Sequence, residues 1–304
     1  MPIDSVPVIS VANLTKYYGD TAGVKDINFS VNRGEIFGFL GPNGAGKTTT
    51  IRLLLHLLRP TSGKISIFNG EDCGRPVDIL KRCGYLPGEF TAYSQMTGIE
   101  FLSYAAAVRG ADPSAQRKLI DRFKISRENL NKKIKKLSHG TLQKLGIIQA
   151  LFHRPELIIL DEPTTGLDPL MQDEFYHLLR EYQQGGSTIL FSSHNLPEVE
   201  KICSRVAIIR EGRLVALEAL EVLKKKLYRR MELTLRKEVD DLNIPHARLI
   251  KKTGLKYSFL VKGDMDLLLK ELAGLPIEDM LLPEADLEEI FMAYYGSAPN
   301  EKTE

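Results

Sequence analysis

Hydrophobic and polar positions change rhythm several times along this chain of 304 residues. Residues 8–40 read as strands: 24–31 alternate in part, and Glu35-Ile-Phe-Gly-Phe-Leu40 is a short apolar run followed by glycine. From Lys47 to residue 58 the pattern turns helical, with Leu53, Leu54, Leu57 and Leu58 at helix spacing. Residues 65–69 return to strand, and Asn69-Gly70 reads as a turn. Helical patterns dominate from Phe90 to about Leu151, including 100–109 and a cationic stretch at 132–136. Three compact apolar runs follow, at 157–160, 187–192 and 205–209, each the length of a buried strand. With helices between them they predict a βα alternation and a mainly parallel sheet. Beyond 224–230 the rhythm changes again. Strands are expected at 231–236, 248–252, 256–262 and 277–282, with helices near 264–273 and 286–295. That is a small α+β appendage over 231–296, followed by a polar tail at 297–304 expected to be disordered.

Composition narrows the class. Apolar residues make up 43% and charged residues 26%, as in a soluble globular protein. Lys and Arg number 41 against 39 Asp and Glu, so neither nucleic acid nor an anionic membrane is demanded as a partner. The balance is uneven, however. Residues 231–304 hold 9 basic and 15 acidic side chains, which leaves 32 and 24 in the first 230 and places a domain boundary near residue 230. The basic run at 224–230 could grip acidic lipid but reads first as a solvated linker. Three scattered cysteines are too few for a disulfide framework or a zinc site and read as reduced thiols. The start, MPIDSVPVIS, lacks the basic and apolar regions of a secretory signal. No run approaches the roughly 18 apolar residues of a spanning helix, so a membrane role has to come through a partner.

Two elements carry phosphate chemistry. Gly41-Pro-Asn43-Gly44-Ala45-Gly46-Lys47-Thr48-Thr49 fits the P-loop spacing, with a strand before it and a helix after. Glycines let backbone N–H groups turn inward around phosphate oxygens, and the helix N-terminus adds its dipole. Lys47 supplies a positive charge for the β- and γ-phosphates, and the Thr48 hydroxyl can ligate Mg²⁺. Leu157-Ile-Ile-Leu160-Asp161-Glu162-Pro163 is the second element: Asp161 emerges at a strand's C-terminal end, where α/β sheets bind ligands. Asp161 suits Mg²⁺, and Glu162 suits orientation and deprotonation of an attacking water. A strand followed by Asp-Glu-Pro is a weak signal alone; paired with a P-loop it is specific.

Leu137-Ser138-His139-Gly140-Thr141-Leu-Gln143-Lys144 decides the family. It resembles the LSGGQ signature of ATP-binding cassette (ABC) ATPases. Tyr18 resembles the aromatic that stacks on adenine, Gly166-Leu167-Asp168 the D-loop, and His194 the switch histidine. The resemblance runs from residue 8 to about 230. It implies a P-loop ABC ATPase domain with a mixed sheet and a helical subdomain at about 90–152, joined to the small C-terminal α+β domain. It further implies ATP and Mg²⁺ as cofactors and two nucleotide domains closing head to tail, as a homodimer or a heterodimer. Ser138 and the Gly140 N–H would then reach the γ-phosphate on the partner's P-loop, His194 would contact it in cis, and Asp168 would speak across the interface.

Two departures stand out. His139 and Thr141 occupy signature positions usually held by glycine and glutamine, and His139 disfavours a positive φ there. In the stretch Cys83-Gly84-Tyr85-Leu86-Pro87, which resembles the approach to the Q-loop, Gly88 stands where glutamine is expected. Glu89 or Gln95 could substitute for its contact with metal and water. The segment 283–295 looks like the closing helix of ATPases serving ABC-2 type exporters of the bacitracin-resistance kind, although it would equally serve to pack the appendage. The resemblance therefore implies an ATPase subunit at the cytoplasmic face of a bacterial membrane, powering export through a separate transmembrane permease that docks near the helices after Phe90. Two other readings share the motifs: a DNA-repair or translation ATPase, and an ATP-dependent switch that barely hydrolyses.

Overall fold

The computed structural model describes residues 7–68, 76–112, 114–226, 228–239, 242, 244–245, 247–262 and 265–283. The turn expected at Asn69-Gly70, the helix at 286–295 and the tail at 297–304 lie outside the described residues. The chain divides into two compact units, Met1–His194 with Glu198–Leu217, and Asn195–Pro197 with Glu218–Glu304.

The first unit holds two sheets. Strands β1 (Ile9–Tyr18), β2 (Thr21–Val31) and β4 (Ser62–Ile67) form an antiparallel sheet in the order β2-β1-β4. The second sheet has six strands, namely β3 (Ile36–Leu40), β5 (Cys83–Leu86), β6 (Leu157–Asp161), β7 (Thr188–Ser193), β8 (Arg205–Arg210) and β9 (Arg213–Ala219). Its order is β5-β6-β7-β3-β8-β9, and the strands from β5 to β8 pair in parallel. The strands expected at 8–31 and in the described part of 65–69 build an antiparallel sheet of their own. Every residue of β3, β6 and β7 is buried, which accounts for their continuous apolar runs. Core side chains from both sheets meet around helix α1 (Lys47–Leu54), among them Leu14, Ile27, Phe39, Ile51, Ile159 and Ile209.

Helix α1 stops four residues before the leucine spacing predicts. His56 takes a left-handed φ of 54° that breaks the helix, leaving Leu57 53% exposed while Leu58 still packs against the core. Helix α2 (Pro76–Arg82) leads into β5. The stretch expected to be helical from Phe90 begins at Gly98 instead. Thr97 caps helix α3 (Gly98–Arg109) in a capping box with Glu100, which fixes the start. Helices α4 (Ser114–Arg122), α5 (Arg127–Asn131) and α6 (His139–Leu151) follow, with a 3₁₀ turn at Ile134–Lys136 where the lysines cluster. Helices α7 (Pro169–Gln184) and α8 (Leu196–Ile202) flank β7 in sequence.

After α9 (Leu220–Lys226), the second unit is a four-stranded antiparallel sheet, β10 (Tyr228–Leu235), β11 (Ala247–Thr253), β12 (Lys256–Lys262) and β13 (Ile277–Leu281), in the order β11-β12-β10-β13. Met231, Leu233, Tyr257, Phe259 and Val261 pack with Leu268 and Leu272 of helix α10 (Met265–Leu272) to form its own core.

Candidate functional site

Strand β3 delivers the glycine-rich loop to the C-terminal edge of the parallel sheet, where the Gly41 N–H donates to the Ser193 carbonyl at 3.2 Å. Gly46 adopts a φ of 107°, and a Cβ there would stand 2.9 Å from the Gly23 carbonyl oxygen, so both conformation and space require glycine. Helix α1 starts immediately afterwards. A cavity of about 460 Å³ opens above its N-terminus, lined by Asn43, Gly44, Lys47, Thr48, Thr49 and Glu162 among others.

Lys47 is 5% exposed, and its Nζ donates to the Gly41 and Pro42 carbonyls at 2.6 and 3.2 Å. The same ammonium lies 3.1 Å from Glu162 Oε1. Glu162 Oε2 in turn meets His194 Nδ1 at 2.6 Å. The three residues therefore form one chain of contacts, with Glu162 in the middle. Glu162 takes a left-handed φ of 50°, and its N–H donates to the backbone and side-chain oxygens of Ser192, each at 3.2 Å. That kink turns the Glu162 side chain away from the line of β6 and toward the P-loop.

Asp161 ends β6 and is 1% exposed. Its Oδ2 accepts from Thr48 Oγ1 and its Oδ1 from Ser192 Oγ, each at 2.6 Å. A hydroxyl and a carboxylate, completed by phosphate oxygens and water, form the oxygen donor set that Mg²⁺ takes. Among the described residues no cluster of three or more His, Cys, Asp or Glu could hold a metal through protein alone. Tyr85 of β5 lies close by: burial first, then the Asp161 charge, push its phenol up to about 12, with Arg52 opposing. The phenol therefore stays neutral beside the carboxylate.

Gly88 also borders Asp161. A Cβ on it would sit 3.6 Å from Asp161 Oδ2, an ordinary contact, so the position would admit a side chain. Glu89 is exposed and makes no hydrogen bond or ion pair to Thr48 or Asp161, so the structure does not bring it to that pair. Tyr18, 48% exposed at the end of β1, lies against Gly23, where a Cβ would come within 2.8 Å of its ring. Gly23 lines the same cavity as the P-loop.

Ser138, Gly140 and Asp168 make no hydrogen bond to the P-loop. Ser138 caps α6, its Oγ accepting from the Thr141 N–H at 3.3 Å, and Asp168 caps α7, its Oδ1 accepting from Met171 N–H at 3.0 Å. A Cβ on Gly140 would meet the Gly166 carbonyl oxygen at 2.6 Å, so glycine lets α6 close on the loop before α7. His139 is the first helical residue of α6 and does not take a positive φ; its ring packs over Gly166.

Three residues outside the expected set tie these parts together. Ser192 shares Asp161 with Thr48. Gln143, 1% exposed on α6, donates to the Pro163 carbonyl at 2.8 Å and so links α6 to the segment after Glu162. Glu198 receives hydroxyls from Thr164 and Ser193. Two of the three lay inside runs already singled out, but nothing in the sequence pairs them with their partners.

Known proteins resemble this chain over most of its length. A family model described as ABC transporter matches residues 24–165. A bacitracin transport ATP-binding protein, BcrA, of Bacillus licheniformis is 40% identical over 230 residues, covering 75% of each chain. A Nod factor export ATP-binding protein of Burkholderia orbicola is 37% identical over 220 residues, covering 70% of this chain and 71% of that one. Among solved structures, an ATP-binding subunit of an ABC transporter superposes with a TM-score of 0.66 at 30% identity, over 72% of this chain and 92% of that one. A dimeric bacterial ABC transporter cassette gives 0.64 at 24% identity, over 70% and 98%, a likeness of fold.

Proposed function

Because the chain belongs to the ABC transporter family of ATP-binding proteins, we propose that it is the ATPase subunit driving export through separately encoded transmembrane permease chains. The observation that carries this reading is the contact chain from Lys47 through Glu162 to His194, beside the Thr48–Asp161 pair. The direction of transport rests on the relatives named for bacitracin transport and Nod factor export. Among the described residues no helix is long and apolar enough to cross a membrane, so attachment to its cytoplasmic face would run through the permease.

In this reading residues 41–49 wrap the ATP phosphates with backbone N–H groups, and Lys47 places its charge on the β- and γ-phosphates. The arriving phosphate replaces Glu162 as the anionic neighbour of Lys47. Glu162 is then free to take a proton from the attacking water, while His194 holds the γ-phosphate side. Thr48 and Asp161 would hold Mg²⁺, which neutralises charge developing on the transferred phosphate. Ser138, Gly140 and Asp168, which make no hydrogen bond to their own P-loop, serve the ATP of a second ATPase subunit, whether a copy of this chain or a relative. Closure of that dimer around ATP, and reopening after hydrolysis, would move the permease between its two states.

Residues 1–230 form the catalytic domain in this account, 90–152 its helical part and 231–296 an accessory domain. Tyr93, Ile99, Tyr104 and Val108 on and before α3 are exposed, and offer an apolar seat for a cytoplasmic helix of the permease. Turnover measured with and without membranes carrying the permease tests the reading: stimulation is expected, and identical rates would count against it.

Tyr18→Ala should weaken ATP binding by about 1–3 kcal/mol, the worth of one base–aromatic stack. Nucleotide titration checks this; loss of affinity in Tyr17→Ala but not in Tyr18→Ala would place the stacking ring one residue earlier.

Gly88 favours a second reading, a switch that binds ATP and hydrolyses it slowly. No side chain is present there to orient water beside Asp161. At Gly88 a Cβ makes only ordinary contacts, and Gly88→Gln should raise turnover of the isolated protein. An unchanged rate would mean that water is positioned adequately without it.

A further inference from the structure

Helix α8 starts two residues after His194, and its Glu198 reaches back beneath the site. Glu198 Oε1 accepts from Thr164 Oγ1 at 2.9 Å, and Oε2 accepts from Ser193 Oγ at 2.7 Å. Thr164 is 4% and Ser193 0% exposed, so both hydroxyls need partners inside the protein. A carboxylate satisfies two O–H donors at once, with charge-assisted bonds, and no other side chain of that length does so without reversing one of them.

The two hydroxyls belong to the two segments that carry the reacting side chains. Thr164 lies between Glu162 and Asp168, and Ser193 immediately precedes His194. Other ties hold the 162–168 segment from its carbonyl side: Gln143 at Pro163, and Gln172 at Leu167, 3.3 Å away. The Glu162 N–H fixes its first residue to Ser192. Glu198 adds a link from the middle of that segment to the residue bearing the histidine.

We infer that Glu198 is a positioning residue for hydrolysis, touching neither nucleotide nor metal and acting through the placement of His194 against Glu162 and of the segment leading to Asp168. The inference rests on the reading of Glu162 and His194 as the hydrolytic pair.

The test uses the full-length chain and measures ATP affinity, kcat, KM and thermal stability for Glu198→Ala, Glu198→Gln and Ser193→Ala, alone and combined with His194→Ala. Misplacement of a catalytic pair predicts that Glu198→Ala lowers kcat about 10- to 100-fold, while KM and ATP affinity stay within about twofold. Glu198→Gln keeps the shape and one acceptor and should recover most of the rate. In the His194→Ala background the effect of Ser193→Ala should vanish and that of Glu198→Ala should shrink, because the group they place is gone. Equal fold losses in both backgrounds, or a rate loss that tracks melting temperature across the variants, would overturn the inference and leave Glu198 a brace of the fold. A rise in KM at constant kcat would overturn it as well. If His194→Ala by itself leaves kcat unchanged, the underlying reading of the pair fails, an outcome separate from a normal His194 effect with an inert Glu198.

Discussion

Lys47→Ala is expected to reduce ATP affinity by roughly 100-fold or more, the largest binding loss any single substitution in this chain should produce. Each hydrogen bond to a charged group is worth about 1.5–3 kcal/mol, and the ammonium serves two phosphates, so the loss exceeds one factor of ten comfortably. The side chain is 5% exposed and preset by the Gly41 and Pro42 carbonyls, so little ordering cost offsets the contact in the wild type. Titration with a fluorescent ATP analogue reads the effect directly. Unchanged affinity would show that the glycine-rich loop does not hold the phosphates.

Glu162→Gln should have the largest effect on turnover. A positioned general base contributes about 10²–10⁴-fold, and the amide cannot accept the proton. Shape should survive. Gln tolerates the left-handed φ of 50° about as well as Glu, and its amide can still bond His194 Nδ1. ATP affinity should therefore hold while phosphate release falls about 100-fold or more. A rate within about twofold of wild type would remove Glu162 from the chemistry and leave it as the counter-ion of Lys47.

Much of this site was legible because its chemistry is local in sequence. The P-loop needs its glycines, lysine and threonine within nine consecutive positions, and the Asp161-Glu162 pair needs only a buried strand to present it. What escaped the sequence is pairing between distant segments. Thr164 and Glu198 are 34 residues apart, and Gln143 and Pro163 are 20 apart. Nothing in composition or periodicity marks either as a partner. The same limit applies to the sheets: β1, β2 and β4 mix buried and exposed positions where β3, β6 and β7 are buried throughout, yet only long-range pairing assigns them to an antiparallel sheet of their own. The overlong α1 had a different cause. Leu57 and Leu58 continue the helical spacing, yet the turn at His56 leaves Leu57 in solvent. The absence of glutamine at residue 88 was plain from the sequence, but its meaning was not, because only the fold brings Gly88 against Asp161 while Glu89 faces outward.

Ser138, Gly140 and Asp168 make no hydrogen bond to the P-loop of their own chain, and the proposed function assigns them to the ATP of a second subunit. The most direct measurement is the mass of the Glu162→Gln protein by light scattering after size exclusion, with and without MgATP. A monomer without nucleotide and a dimer with ATP is the predicted result, since blocked hydrolysis leaves the closed form with no route to open. Adding Ser138→Arg should return the mass to that of a monomer that still binds ATP through Lys47, because a bulky cation would stand where the partner's γ-phosphate docks. A Glu162→Gln protein that binds ATP yet stays monomeric at every concentration would contradict a site shared by two copies of this chain.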